Sequence, residues 1–405
     1  MKTIEKITFF FPMLMLLISC SSDSINGETT GQEPPKETDL ASLKTIEANE
    51  VEAFSAIILA KIEDNGGSSV KEQGICYALT STPDYNSSKK EPNSFKGSGE
   101  FEVKLTDLSE GETYYARAFA KNAKGISYGN EVSFTTKTAV PPSFKMNDTI
   151  VSGPHDIWTD VELTERGEDE LVEVGVLYST QESFDLESGT KLKQEGLNST
   201  FKYRMTDLEA NTTYFYKPYA ITEHGKTHYG EATQYKTLEQ GNFTWSFNGT
   251  LDPNNENHQR IKEAFDTATW YYSNYTAIQK HVTVNYSPGT PTADANFDGW
   301  INMGANASYQ RTGTAMHEMA HTVGVGQHWT WKFIIDNDDS YYSAARANAV
   351  LSMMTNGADT AMHGDDIHFW PYGINGAHED TGDDFLYIMN ALIVQGFKED
   401  GLPSN

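Results

Sequence analysis

The chain repeats itself at a spacing of roughly 100 residues, and this limits its folding more than any single motif does. A period of that size calls for modules that each close their own core. QGICYALTST at 73–82 is answered by VGVLYSTQES at 174–183. Thr106-Asp107-Leu108 is answered by Thr206-Asp207-Leu208, and Thr113-Tyr114 by Thr213-Tyr214. Segments such as FEVKL and TYYARAFA alternate with period two, as half-buried antiparallel strands do. Asn-Ala-Lys-Gly at 122–125 and Glu-His-Gly at 223–225 supply turn chemistry between paired strands. The repeat predicts two all-β sandwiches, at 46–138 and 139–238.

These copies resemble the fibronectin type III-like sandwiches of surface proteins of Bacteroidota. The likeness rests on the Gly-x-x-Tyr, Asp-Leu…Thr-Tyr and closing Phe-Thr-Thr patterns. The second copy departs from it, ending Tyr-Lys-Thr with an extra residue before Gly230. Tyr and Phe in this half read as core, and no site is assigned here. The resemblance leaves two roles, a spacer or an adhesive module that binds glycan or protein through its loops.

Ahead of the repeats, Lys2 and Lys6 precede an apolar run from Ile7 to Ile18 that is short for a membrane span. It ends Leu17-Ile18-Ser19-Cys20, which resembles a bacterial lipobox. The resemblance implies a signal peptide over 1–19 and lipidation at Cys20, anchoring the chain to a membrane, with the outer membrane and cell surface as the expected location. Residues 20–45 are rich in Ser, Gly, Pro, Thr and acids and read as a flexible tether. The only other cysteine is Cys76, so no disulfide framework is expected. With 57 acidic against 30 basic residues the net charge is −27, a field that repels phosphate backbones, and nucleic-acid binding is not expected.

Residues 239–405 have another texture, predicting an α+β fold. Residues 255–278 are helical in length, with Ile261, Phe265, Ala268 and Tyr272 at spacings of three and four. HVTVNY at 281–286 and Trp300–Met303 predict strands. GDDFLYIMNALIVQGF at 382–397 predicts a closing amphipathic helix, with Leu386, Met389, Ile393 and Phe397 inward. DNDDSYY at 336–342 lacks regular calcium-loop spacing and reads as a solvated acidic loop.

His317-Glu318-Met319-Ala320-His321 carries the chemistry. Two imidazoles at i and i+4 share one helix face and can reach one metal, while Glu318 can act as base beside it. The pattern continues to Gly324, where glycine can end the helix and turn the chain back. His-Glu-x-x-His-x-x-Gly resembles the metzincin clan of zinc metallopeptidases. The resemblance implies Zn²⁺ and a third ligand just past Gly324. Gln327 holds that place in the clan's spacing, and His328 follows one residue later. Imidazole is the better zinc ligand, so His328 is expected, with Gln327, His363, His368 and His378 as other sources. A Met turn is expected at Met354, with ordinary core filling as the alternative. His368-Phe369-Trp370-Pro371-Tyr372-Gly373 is an aromatic cluster whose role the sequence leaves open. The whole predicts two fibronectin type III-like sandwiches followed by a metzincin-like zincin domain. The expected activity is a surface-anchored, zinc-dependent endopeptidase with Glu318 as catalytic base. Its peptide substrate is expected along the edge of the sheet at Trp300–Met303. The alternative is an adhesin or glycan-binding lipoprotein with a vestigial or structural metal site.

Overall fold

A computed structural model describes residues 38–336, 341–342 and 345–403. Cys20 and most of the acidic stretch 336–342 lie outside them. The chain divides into two compact units. The first, described over residues 38–108 and 112–136, is a β-sandwich of β1 (Ser42–Asn49), β2 (Ala56–Asp64), β3 (Glu72–Ala78), β4 (Lys89–Pro92), β5 (Gly99–Leu105), β6 (Thr113–Lys121) and β7 (Ile126–Thr135). One sheet runs β1-β2-β5 and the other β4-β3-β6-β7. Alternation decides which side chains fill it: in β5 Phe101, Val103 and Leu105 face in, while Glu100, Glu102 and Lys104 face out. Cys76 on β3 is a buried free thiol. Burial, with Asp84 adding to it, pushes its pKa up to about 12, so it packs as a small apolar side chain.

The second unit begins with another sandwich, made of β8 (Ser143–Met146), β9 (Val151–Ser152), β10 (Ile157–Glu165), β11 (Leu171–Ser179), β12 (Thr190–Lys193), β13 (Thr200–Met205), β14 (Thr213–Thr222), β15 (Thr227–Tyr229) and β16 (Thr233–Lys236). One sheet runs β13-β10-β8, with β9 also on β10; the other runs β12-β11-β14-β15, with β16 also on β14. The last strand is broken where the repeats diverge. Gly230 donates to the Pro218 carbonyl at 2.9 Å, and a Cβ on it would fall 2.5 Å from the proline ring. Only glycine fits that crossing.

The remainder is α+β. β17 (Asn242–Phe247), α1 (Glu256–Tyr275) and β18 (Gln279–Tyr286) form a parallel crossover, followed by β19 (Ala293–Ala295) and β20 (Trp300–Met303). The sheet order is β17-β18-β20-β19, with β19 alone antiparallel. Trp300–Met303 is therefore an interior strand, and the free edge expected there belongs to β19. The Asn255 side chain caps α1 by accepting from the Asn257 and His258 N–H groups. A 3-10 turn at Ala307–Tyr309 leads into α2 (Thr312–Thr322). Then follow α3 (Trp331–Ile334), the short ladder of β21 (Ile335–Asp336) with β22 (Tyr341–Tyr342), and α4 (Ala345–Met354). A two-residue ladder of β23 (His363–Gly364) with β24 (Phe369–Trp370) precedes α5 (Asp384–Glu399).

α5 corrects the expected amphipathic helix. It is buried continuously from Tyr387 to Phe397, because α1, α2 and α4 all pack against it. Leu386, expected inward, is only half buried.

The second sandwich is not a detached spacer. Its Val151 and Trp158 belong to the same apolar core as α1, α2 and α5. Gly153 lies against the Tyr275 backbone, and Lys202 donates to the Met353 carbonyl at the end of α4. Trp158 is buried in that joint core, with the Arg204 guanidinium over its ring. Trp158→Ala is expected to lower stability by about 3–5 kcal/mol, as large aromatic deletions do. Urea unfolding measures it, and a loss below about 1 kcal/mol would show that the two parts do not share a core.

Candidate metal centre

α2 is fixed at its start by a buried carboxylate rather than by a capping side chain of its own. Asp380 Oδ2 accepts the Gly313 N–H at 3.0 Å and pairs with Arg311 Nε at 3.0 Å. Asp380 Oδ1 accepts from the Tyr387 hydroxyl at 2.6 Å. A negative charge there also opposes the positive end of the helix dipole. A Cβ on Gly313 would stand 2.5 Å from that carboxylate, so only glycine admits the contact. Further along, Ala315, Met316, Met319 and Ala320 are buried against α1 and α5. At the far end Gly324, with φ +109°, donates to the His321 carbonyl and stops the helix, as its place in the motif predicts.

One turn apart on α2, His317 and His321 bring their Nε2 atoms to 3.1 Å. His317 Nδ1 lies 3.0 Å from the Gly373 carbonyl, and His321 Nδ1 lies 2.8 Å from the Val325 carbonyl. A carbonyl can only accept, so these contacts assign the ring proton to Nδ1 in both residues. Both Nε2 atoms then carry lone pairs aimed at one another. Protonation does not relieve this. Burial, with His321 adding to it, pushes His317 down to about 3, and burial lowers His321 as well. A cation is the group that reconciles them. Tetrahedral nitrogen ligands about 2.0–2.1 Å from zinc lie about 3.3 Å apart, close to the spacing seen.

The third imidazole is His368, whose ligand atom lies within 4.8 Å of those of the other two. It projects from the turn between β23 and β24. That turn is folded by Asp365, whose Oδ1 accepts from the Ile367 and His368 N–H groups. Asp365 Oδ2 lies 3.3 Å from His368 Nδ1, the carboxylate–histidine arrangement that orients a metal ligand. Partial burial opposes the Asp365 charge, but those backbone and side-chain bonds bring its pKa below the usual value.

The expected third ligand, His328, is not brought to the pair. Residues 324–328 close a hydrogen-bonded turn, with the His328 N–H donating to the Gly324 carbonyl at 3.0 Å. The His328 ring then faces Phe297 and bonds Thr330 Oγ1 at 2.8 Å. Gly326, at φ +64°, lets the His368 turn close over this loop; a Cβ there would sit 2.3 Å from the Ile367 carbonyl oxygen. Gln327 lines the same cleft as the histidines. His363 pairs with Trp370 across the β23–β24 ladder, and His378 is exposed beside Glu379. Met354 ends α4, half buried against the core, so the expected Met turn is a helix end. Trp300–Met303, as an interior strand, does not border the cleft; Ala293–Ala295 does.

The three histidines and Glu318 line a cavity of about 320 Å³ between β19 on one side and residues 374–377 on the other. Glu318 is buried, and its Oε2 has no hydrogen-bond partner among the described residues. Burial, with Asp294 adding to it, pushes its pKa up to about 8. An orphaned carboxylate oxygen beside three converging imidazoles fits a site built for a divalent cation and a water molecule.

The aromatic cluster left open by the sequence is thereby assigned. It supplies His368 and the Gly373 carbonyl that orients His317, and Ile374 and Asn375 behind it wall the cleft. Asp380, which anchors α2, was missed. It lies far along the chain from the helix it caps, and no local spacing marks it.

No protein family model matches the chain, and no curated protein sequence matches it. Among solved structures, the sensor domain of the anti-sigma factor RsgI4 in Pseudobacteroides cellulosolvens is 19% identical over 26% of this chain and 99% of its own, with a TM-score of 0.20. The FN1-FN3 domains of chicken CNTN1 are 13% identical over 50% of this chain and 70% of theirs, with a TM-score of 0.21. Both scores are too low to transfer anything to this site.

Two measurements test the centre. His368→Ala is expected to lose bound metal by elemental mass spectrometry, while His328→Ala keeps it; the reverse pattern would return the third ligand to His328. In metal-stripped protein, the Glu318 carboxyl holds its proton more tightly folded than unfolded. Its contribution to stability is complete below the ordinary value of 4.5 and drains away as pH rises through about 8. Stripped wild type should therefore lose urea resistance relative to Glu318→Gln across that range. Parallel pH profiles would show that Glu318 is not buried without a partner.

Proposed function

We propose that the C-terminal part of this chain is a zinc-dependent endopeptidase with His317, His321 and His368 as metal ligands and Glu318 as general base. The observation that carries the reading is the convergence of three imidazoles beside a buried, unpartnered carboxylate in an open cleft. Zinc held by this set supplies Lewis acidity toward a water molecule and a substrate carbonyl. The protein's own groups do the rest. Asp365 and the Gly373 and Val325 carbonyls hold the three rings in their ligating orientation. Glu318 accepts the proton of the attacking water and returns it to the leaving amine. Its raised affinity for a proton suits that exchange, and a nearby cation would draw its pKa back toward neutrality. The free edge of β19 can add an extended peptide to the sheet beside the cleft.

The metzincin-like reading is supported by the parallel sheet with one antiparallel edge strand, the helix carrying both histidines and the glycine that ends it. It departs from that pattern in taking the third histidine from a distant turn. The paired antiparallel sheets, of three and four strands in the first sandwich and four and five in the second, support the fibronectin type III-like reading. Lipidation at Cys20 and display at the outer membrane are part of the same proposal and rest on the N-terminal residues alone.

The second reading, an adhesin with a structural metal site, has Glu318 against it. A structural zinc site fills its fourth position with a protein ligand, whereas here the cleft beside the histidines is open. Glu318→Gln is expected to keep its metal and lose about a hundredfold to ten-thousandfold in peptide hydrolysis. Hydrolysis at the wild-type rate would overturn the assignment of the base.

A further inference from the structure

A second cleft, of about 430 Å³, opens where the second sandwich meets α1. It lies apart from the histidines, and no residue lines both cavities. Its floor is a fixed ion pair. Arg204 Nε bonds the buried Asp156 carboxylate at 2.9 Å, and Arg204 Nη2 lies 3.3 Å from the Tyr275 hydroxyl. Its wall is Trp270 of α1, which is 54% exposed. Asp207 and Glu209 stand exposed at its rim.

Comparison of the repeats shows that this end of the second sandwich has its own chemistry. Equivalent positions follow from strand register: Ile57 pairs with Lys104 in the first copy, as Trp158 pairs with Arg204 in the second. Where the second copy has His155, Asp156 and Arg204, the first has Phe54, Ser55 and Lys104. The ion pair and its histidine neighbour are thus features of the copy that bears the cleft. Part of that change serves the joint with α1. The joint does not account for Trp270, a large ring left more than half exposed at the cleft.

We propose that this cleft binds a neutral carbohydrate, with the Trp270 ring as its platform. Steeply inclined ring contacts hold it in place, with Tyr271 at 5.0 Å and 88° and with Tyr275 at 6.2 Å and 74°. A rigid, single flat face suits the C–H side of a sugar, and it costs little entropy on binding. The carboxylates of Asp207 and Glu209 accept hydroxyl protons. They also disfavour an anionic ligand, since the Arg204 charge is already balanced by Asp156. Concave sites of this kind, part aromatic and part polar, gather where two folded parts meet.

Isothermal titration of the full chain tests this, with oligosaccharides of glucose, galactose, mannose, xylose and N-acetylglucosamine, and oligolysine as the cationic probe. At least one oligosaccharide should bind saturably. Trp270→Ala should weaken it at least about tenfold, Trp270→Phe less so, and Asp207→Asn should weaken it as well, while bound metal stays unchanged. Trp270 is exposed, so these variants retain the fold. Binding that Trp270→Ala leaves intact would overturn the proposal. So would failure of all five sugars, or Trp270-dependent binding of oligolysine alone.

Discussion

Two unprotonated imidazole nitrogens stand 3.1 Å apart on one face of α2, and much of the C-terminal fold is arranged to keep them there. Two carbonyls, from Gly373 and Val325, fix the ring protons on the far side of each ring. Burial removes the other remedy, protonation, by pushing both histidines toward the neutral form. The helix that carries them is in turn held at both ends. Asp380 pins its first turn to the segment that enters α5, and Gly324 halts it so that Val325 can turn back under His321. Lone pairs so placed are costly without a cation and favourable with one, which is what pre-organisation for a metal means physically.

The same logic gives the second sandwich a larger role than that of a spacer. α1 backs the sheet and α2 through its buried face, and its last turn, at Tyr275, is covered by Gly153 and tied to Arg204. Val151 and Trp158 close the core on that side. The helix that supports the histidine-bearing helix is therefore supported by a strand of the preceding sandwich. Separating the two parts at residue 238 would expose the apolar surface of Val151 and Trp158 and take the Tyr275 hydroxyl from Arg204 and the Met353 carbonyl from Lys202.

Much of this was legible in the sequence where the signal is local. Period-two alternation placed FEVKL and TYYARAFA as strands, and both are. The His-Glu-x-x-His spacing placed two imidazoles on one face, and they meet. The third histidine was not legible, because its approach depends on tertiary closure. Counting residues past Gly324 assumes an extended chain there, whereas residues 324–328 close a hydrogen-bonded turn that carries the His328 ring to Phe297. Edge and interior strands were likewise confused. Trp300–Met303 shows the alternation of a strand with one wet face, but the short Ala293–Ala295 segment that pairs beyond it has too little pattern to announce itself. α5 shows the opposite failure, since Leu386, Met389, Ile393 and Phe397 trace one apolar stripe while packing on all sides buries the rest.

The aromatic run from His368 to Gly373 shows why such residues resist reading by type. Each has a simple packing role in isolation. Phe369 is core, Trp370 pairs across the ladder to His363, and Tyr372 offers its carbonyl to Asn390. What matters for the site is the backbone path that these packings enforce. It delivers the His368 ring at one end and the Gly373 carbonyl at the other to the same pair of histidines. One segment thus contributes one histidine of the triad and also sets the tautomer of another. A site completed in this way is coupled to the packing of α5 through Asn390, so that loosening the helix would loosen the triad with it.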